Sequence, residues 1–159
     1  MQTEEKIKTE LINKFNYLTD KINITRSRRI FAEVDYANFK EVFDYIVKKL
    51  DFSCLCTITG LDNLSSFGVI YHLSLPDKGI VLNLKANIDR DNPVLKSVTG
   101  YFSGAEIYER ELEDMFGFKV EGLKSGNRYP LPDDWPANDH PLRKDWKNKE
   151  VPKAGGENA

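Results

Sequence analysis

A chain of 159 residues, 40% hydrophobic, 11% aromatic and 30% charged, fits one domain with room for a real core and lacks the composition of a disordered polymer. Its formal net charge of −2 supplies no basic field, so neither nucleic acid nor an anionic membrane is an evident partner. The opening MQTEEKIKTELINKF has no apolar stretch of signal-peptide type, and no later run approaches membrane-spanning length; the expectation is a cytoplasmic chain with no direct membrane insertion.

Ile7, Leu11, Phe15 and Leu18 recur at helical spacing and predict an amphipathic helix over about 3–18. After an Asn-rich break at 22–24, RRIFAEVD (28–35) reads as a strand. Asp35 is placed to cap a second helix whose apolar stripe is Phe39, Val42, Phe43, Ile46 and Leu50. FSCLCTIT (52–59) is β-rich and closed by Gly60. FGVIYHLSL (67–75) alternates Phe67, Val69, Tyr71, Leu73 and Leu75 on one face, and GIVLNLKANI (79–88) does the same with Ile80, Leu82, Leu84, Ala86 and Ile88. Pro76–Gly79 between them is a hairpin turn. Helix, strand, helix and then three consecutive strands predict an α+β fold of two layers, helices on a mixed, mainly antiparallel sheet.

The cysteines, Cys54 and Cys56, fall two apart in a predicted strand and fit no disulfide framework. With His72 they would make three zinc ligands at most, and too few thiolates for an iron–sulfur cluster. Their side chains share one strand face, and buried core thiols are the expectation. His72 lies on the face opposite Phe67 and Tyr71, where a part-exposed or hydrogen-bonded histidine is expected. No Gly-rich phosphate loop follows a strand, and no Ser/His/Asp or Cys/His set has support.

The character changes near Gly117. Residues 117–159 hold five of the seven prolines and five of the ten glycines, and Pro130, Pro132, Pro136 and Pro141 forbid a long helix. Leu123, Tyr129, Leu131, Trp135, Leu142 and Trp146 are nevertheless spaced through the segment. Large apolar side chains on irregular chain need something to lie against, the domain's own flank or a partner. The organisation read from this is an α+β domain over 1–117, an extended arm over 118–147 that orders only on a partner, and a mobile polar tail over 148–159.

Between the two regions lies YERELEDMFGF (108–118). Ser103-Gly104-Ala105-Glu106 matches a capping box and Gly117 a C-terminal stop, so a helix over about 104–116 is predicted. Ala105, Tyr108, Leu112, Met115 and Phe116 form its inward stripe; Ile107, Arg110 and Asp114 lie opposite, Glu111 at the border, and Glu106, Glu109 and Glu113 on the remaining side. Acids this dense can be a solvated face with i±4 pairs to Arg110, a catalytic carboxylate pair, a carboxylate metal site or a docking face. Glu109 and Glu113 are like charges one turn apart, which costs unless a cation approaches. Both histidines, His72 and His140, are far from the segment in sequence, and periodicity alone leaves the choice open.

The wording of the segment goes further. Glu109-Arg110-Glu111-x-x-Asp114-Met115-Phe116-Gly117 resembles the signature of the 30 kDa subunit family of respiratory complex I. Arg128, Leu131-Pro132-Asp133-Asp134-Trp135 and His140-Pro141-Leu142-Arg143-Lys144-Asp145-Trp146 resemble that family's closing segment, and Ser97-Val98-Thr99 with Tyr101-Phe102-x-x-Ala105 its run into the signature. Leu123 stands where a histidine is usual, and Asn127-Arg128 where a double arginine often follows. The Pro-Leu-Pro-Asp-Asp-Trp arm and the short chain resemble the homologues of energy-converting, membrane-bound nickel–iron hydrogenases more than the long respiratory subunits.

The resemblance implies a subunit with no catalytic, cofactor-binding or metal-binding residue of its own, on the cytoplasmic face of the cell membrane. It would pack beside a hydrogenase-like large catalytic subunit and a neighbouring iron–sulfur subunit. Iron–sulfur clusters and a nickel–iron centre would belong to those partners. Carried over residue by residue, Glu109, Arg110, Glu111 and Asp114 fix the signature helix and its contact with the large subunit, and Arg128, Trp135, His140, Arg143, Asp145 and Trp146 anchor the arm. The equivalent subunit of an NADH- or ferredoxin-driven quinone reductase is the alternative; a stand-alone soluble α+β enzyme or ligand-binding domain is the alternative of another class. Solvated loop charge is the plain reading of Arg128, Arg143 and Lys144.

Overall fold

The strand at Ile80–Asp89 organises the molecule. Its inward side chains, Ile80, Leu82, Leu84, Ala86 and Ile88, are all buried, while Val81, Asn83, Lys85 and Asn87 alternate with them on the other face. That period of two is what one covered and one open sheet face requires. The computed structural model describes residues 3–147. The elements are α1 (Thr3–Lys14), β1 (Ile22–Arg26), β2 (Arg29–Asp35), α2 (Tyr36–Lys48), β3 (Cys54–Asp62), β4 (Ser66–Leu75), β5 (Ile80–Asp89), β6 (Val94–Lys96), α3 (Ala105–Phe116) and β7 (Lys119–Glu121).

The main sheet has the order β1-β2-β5-β4-β3. Only β2 and β5 run parallel, and the remaining pairs are antiparallel, so the α+β expectation of a mixed, mainly antiparallel sheet under helices holds. The α2 stripe Phe39, Val42, Phe43 and Ile46 is buried. Phe39 and Phe43 pack on Tyr71 of β4 with ring centroids 4.7 and 5.5 Å away. α1 contributes Ile7 and Leu11 to the same core. α3 crosses β3 where Gly60 leaves room: a Cβ there would sit 2.5 Å from the Phe116 ring. Gly60 therefore lets the helix approach and does not end the strand. On the open face Lys85 pairs with Glu33 at 3.2 Å, and Asn87 donates to the same carboxylate.

Several local expectations change. The first helix stops at Lys14, because Phe15 leaves helical geometry (φ −131°, ψ 82°) so that one 3-10 turn can bury both Phe15 and Leu18. The 22–24 break is part of β1, whose Ile22 and Ile24 share the face of Ile30 and Ala32. Asp35 makes no cap bond and instead pairs with Lys21 at 3.2 Å. The capping box does not form either: α3 starts after Gly104 without a side-chain cap, and Glu106 turns to Arg110. Cys54 and Cys56 are exposed, not buried. β3 is the outermost strand, and at its start the core side is taken by Leu55 opposite Leu73. His72 is part-buried and hydrogen-bonded, as expected; Asn83 Oδ1 at 2.6 Å can only accept, so Nδ1 carries the proton and Nε2 takes the Thr59 hydroxyl at 3.0 Å.

Two short strands escape periodicity altogether. β6 and β7 pair in parallel, Leu95 opposite Val120, on either side of α3 in the chain. Strand, helix and strand form a small βαβ unit that fixes both ends of α3. The arm thus begins with ordered structure, and the expected tail over 148–159 lies outside the described residues.

Candidate docking surface on the third helix and the C-terminal arm

The acids of α3 are largely consumed inside the chain. Glu109, expected on an outward side, is 1% exposed. Its carboxylate accepts from the Val98 N–H at 2.6 Å and the Ser97 hydroxyl at 2.7 Å, holding the loop that leads out of β6. Burial pushes the Glu109 carboxyl above its ordinary value; the two donors oppose that, and Glu113 and Glu106 add to it. Glu113 accepts from the Val120 N–H at 3.2 Å and so serves β7. Glu106 accepts from Arg110 Nη2 at 2.8 Å, and the same nitrogen also donates to the Lys124 carbonyl at 2.8 Å. Among the described residues Glu111, half-buried, is the one acid of the segment with no hydrogen-bond partner.

Asp114 is the first anchor of the arm. Expected opposite the core stripe, it is 7% exposed because the arm itself covers it. Oδ1 accepts from Arg128 Nε at 3.0 Å and Oδ2 from the Leu131 N–H at 3.2 Å. His140 Nδ1 lies 2.8 Å from the Asp114 carbonyl, and Arg143 Nε donates to the Phe116 carbonyl at 2.6 Å. These caps satisfy two of the carbonyls that every helix C-terminus leaves open. Gly117 is left-handed at φ 76°, and a Cβ there would fall 2.5 Å from His140 Nε2. Both the turn and the closeness of the arm demand glycine.

Asp62 is the second anchor, and no local motif marks it. At the end of β3 it accepts from the Leu64 N–H at 2.7 Å, the Lys144 N–H at 2.8 Å and the Arg90 guanidinium. Burial would raise this carboxyl, yet Arg90 and the two backbone donors together hold it below the ordinary value. Arg90 reaches Asp145 at 3.0 Å as well, and both Arg90 and Arg143 lie over the Phe67 ring at 4.7 and 5.2 Å. Between the anchors the arm braces itself: Trp135 Nε1 donates to the Asp139 carbonyl at 2.8 Å, and Trp146 Nε1 to the Asp139 carboxylate. Ahead of α3 the Tyr101 hydroxyl donates to Asp44 of α2, which together with burial pushes it up to about 12.

The sequence pattern of the family described as respiratory-chain NADH dehydrogenase, 30 kDa subunit, matches residues 32–151. The chain belongs to this family. It is 34% identical over 139 residues to the member of the family found in the F(420)H(2) dehydrogenase of Methanosarcina mazei, covering 86% of this chain and 87% of that one. It is 41% identical over 80 residues to hydrogenase-4 component G of Escherichia coli, across 50% of this chain but 14% of that protein. A chain of the membrane-bound sulfane sulfur reductase, an archaeal respiratory membrane complex, superposes with TM-score 0.79 over 92% of this chain and 86% of that one; at 23% identity this speaks for the fold.

For this member of the 30 kDa family, the residues singled out in the sequence assemble as one system. Asp114, Arg128, His140 and Arg143 meet at the C-terminal end of α3; Trp135 and Trp146 meet at Asp139; Asp145 joins through Arg90. Glu109 stands apart from them, serving the Ser97–Val98 loop. The arm, expected to rest on a partner, lies on its own domain, since Asp62 and Asp114 offer it buried acceptors. No helix among the described residues is long and apolar enough to cross a membrane, and none of their His, Cys, Asp and Glu side chains cluster in threes as a metal site would require.

What stays uncovered follows the arm. Among the described residues the exposed large apolar side chains are Tyr17, Leu64, Ile107, Tyr129 and Leu142. Ile107 and Tyr129 line an open groove of about 560 Å³ with Arg110 and Gly126. Leu142 sits by Met115, whose carbonyl accepts its N–H at 3.1 Å, and Leu64 is beside the Asp62 anchor. Four of the five therefore lie on α3, the arm or the hairpin that holds the arm.

Proposed function

We propose that this chain is a structural, non-catalytic subunit in the peripheral arm of an energy-converting, membrane-bound nickel–iron hydrogenase, on the cytoplasmic side. It docks through α3 and the arm on a large catalytic subunit that carries the nickel–iron centre, beside an iron–sulfur subunit. The observation that carries this reading is the concentration of exposed apolar side chains along a surface made rigid by buried carboxylate anchors. A preformed apolar strip with half-buried charges is the kind of surface a permanent partner covers, at little ordering cost. Likeness to hydrogenase-4 component G favours the hydrogenase.

The near full-length likeness to the F(420)H(2) dehydrogenase protein favours a second reading, the equivalent subunit of a complex I-type quinone reductase. Affinity purification of the tagged chain from its native host, followed by subunit identification and metal analysis, separates the two. Stoichiometric nickel with iron in a complex containing a large subunit is the expected result. Iron without nickel selects the quinone-reducing complex. An active, homogeneous monomer with no large subunit overturns both.

A further inference from the structure

The cysteines have no part in the docking surface, yet the fold presents them together. Cys54 and Cys56, the only cysteines of the chain, are both exposed on β3, the outermost strand of the sheet. Along the ladder Cys54 faces Ser74 and Leu55 faces Leu73, but His72 is met by Thr57. Cys56 is the extra residue of a β-bulge and has no partner across the strand pair. Cys54 also forms one wall of an open groove of about 410 Å³, with Tyr101, Phe102 and Tyr108, through which a small molecule can reach its sulfur.

Two residues apart on a regular strand, cysteines are held too far apart to bridge, since a disulfide needs Cβ atoms roughly 3.5–4.5 Å apart. A bulge removes that obstacle. It bends and twists the strand locally, and its extra residue can move without breaking a ladder hydrogen bond. The thiols already influence one another: partial desolvation pushes the Cys56 thiol up first, and the neighbouring Cys54 thiol adds to the rise. The polar contact that Cys56 would give up on moving is the Tyr108 hydroxyl on its carbonyl, at 3.2 Å.

We propose that Cys54 and Cys56 form a reversible dithiol that is oxidised to an intramolecular disulfide by small disulfides of the glutathione class. The Cys54 thiolate attacks one sulfur of the small disulfide; that S–S bond breaks and one small thiol leaves, protonated. The Cys56 thiol then gives up its proton and attacks the Cys54 sulfur of the mixed disulfide, expelling the second small thiol. Two protein thiols lose two electrons and two protons, and the small disulfide becomes two thiols.

The test is intact-mass measurement of the full-length chain after incubation with glutathione disulfide. Wild type is expected to lose about 2 Da, the two hydrogens of one internal disulfide, and to regain them with dithiothreitol. Cys56→Ser, which lacks the resolving thiol, accumulates a single glutathione on Cys54 that wild type does not hold. Wild type carrying two glutathiones, forming disulfide-linked dimers or keeping its reduced mass overturns the proposal.

Discussion

Glu109 carries the most demanding position in the chain: a carboxylate almost wholly buried, above its ordinary pKa, and holding two donors of one loop. Removing it leaves the Val98 N–H buried without an acceptor, so Glu109→Ala is expected to cost about 2–3 kcal/mol in denaturant unfolding. Glu109→Gln keeps an acceptor for Val98 and offers an amide donor to Ser97, and is expected to stay within about 1 kcal/mol of wild type. The pH dependence follows from the same carboxyl. Its folded pKa lies above the unfolded one, so its ionisation opposes folding. This part of stability is gained as pH falls through the folded value towards roughly 4.3, and the glutamine variant is expected to lack it. Equal losses in both variants, or an unchanged pH profile in the glutamine variant, would show that Glu109 acts otherwise. A side chain with this role weakens assembly by loosening the chain itself.

At the level of elements, the arm is held at two separate points, and the points are separable by experiment. Hydrogen exchange on the isolated chain is expected to show protection at the Leu131 and Lys144 amides, which donate to Asp114 and Asp62. Asp62→Ala is expected to abolish protection at Lys144 and spare Leu131; Asp114→Ala should do the reverse. Loss at both sites in either variant means the arm docks as one cooperative piece. Acid acts on the Asp62 anchor in a definite direction. Its carboxyl lies below the ordinary value in the folded chain, so its contribution is complete above about pH 3.9 and is lost as pH falls below that.

The sheet and the helix stripes are legible in the sequence because each follows one period: two for Ile80–Ile88, three to four for Phe39–Ile46. β1 escapes notice since Asn23 and Thr25 dilute its isoleucines; β6 and β7 are too short to carry a period at all. Capping motifs mislead because Asp35 and Glu106 find nearby cations, a choice made by tertiary neighbours. Asp62, whose bond to Lys144 spans 82 residues, has no local signal. The arm residues are recognisable through resemblance to a family, and their mutual contacts only through the fold.

For the molecule as a whole, the proposed docking surface predicts a division among surface mutations. Ile107→Asp, which puts charge on an exposed apolar position, is expected to reduce recovery of partner subunits at least about tenfold in pull-downs while leaving the chain's own unfolding midpoint unchanged. Tyr17→Asp, exposed on the 3-10 turn that follows α1, is the control and should leave recovery intact. Equal recovery for both would place the partner elsewhere.

The parallel seam between β2 and β5 also sets the order in which the molecule can form. β3, β4 and β5 are successive strands that close by short turns, whereas β2 reaches β5 only after the whole of α2, β3 and β4 has been made. Loop closure makes that distant pairing the late step. Val69→Ala, in the meander, should therefore slow refolding, and Ala32→Gly, in the seam, should mainly hasten unfolding. A nascent or damaged chain caught between the two stages would expose β5's bare edge, and with it a template for pairing with the wrong strand.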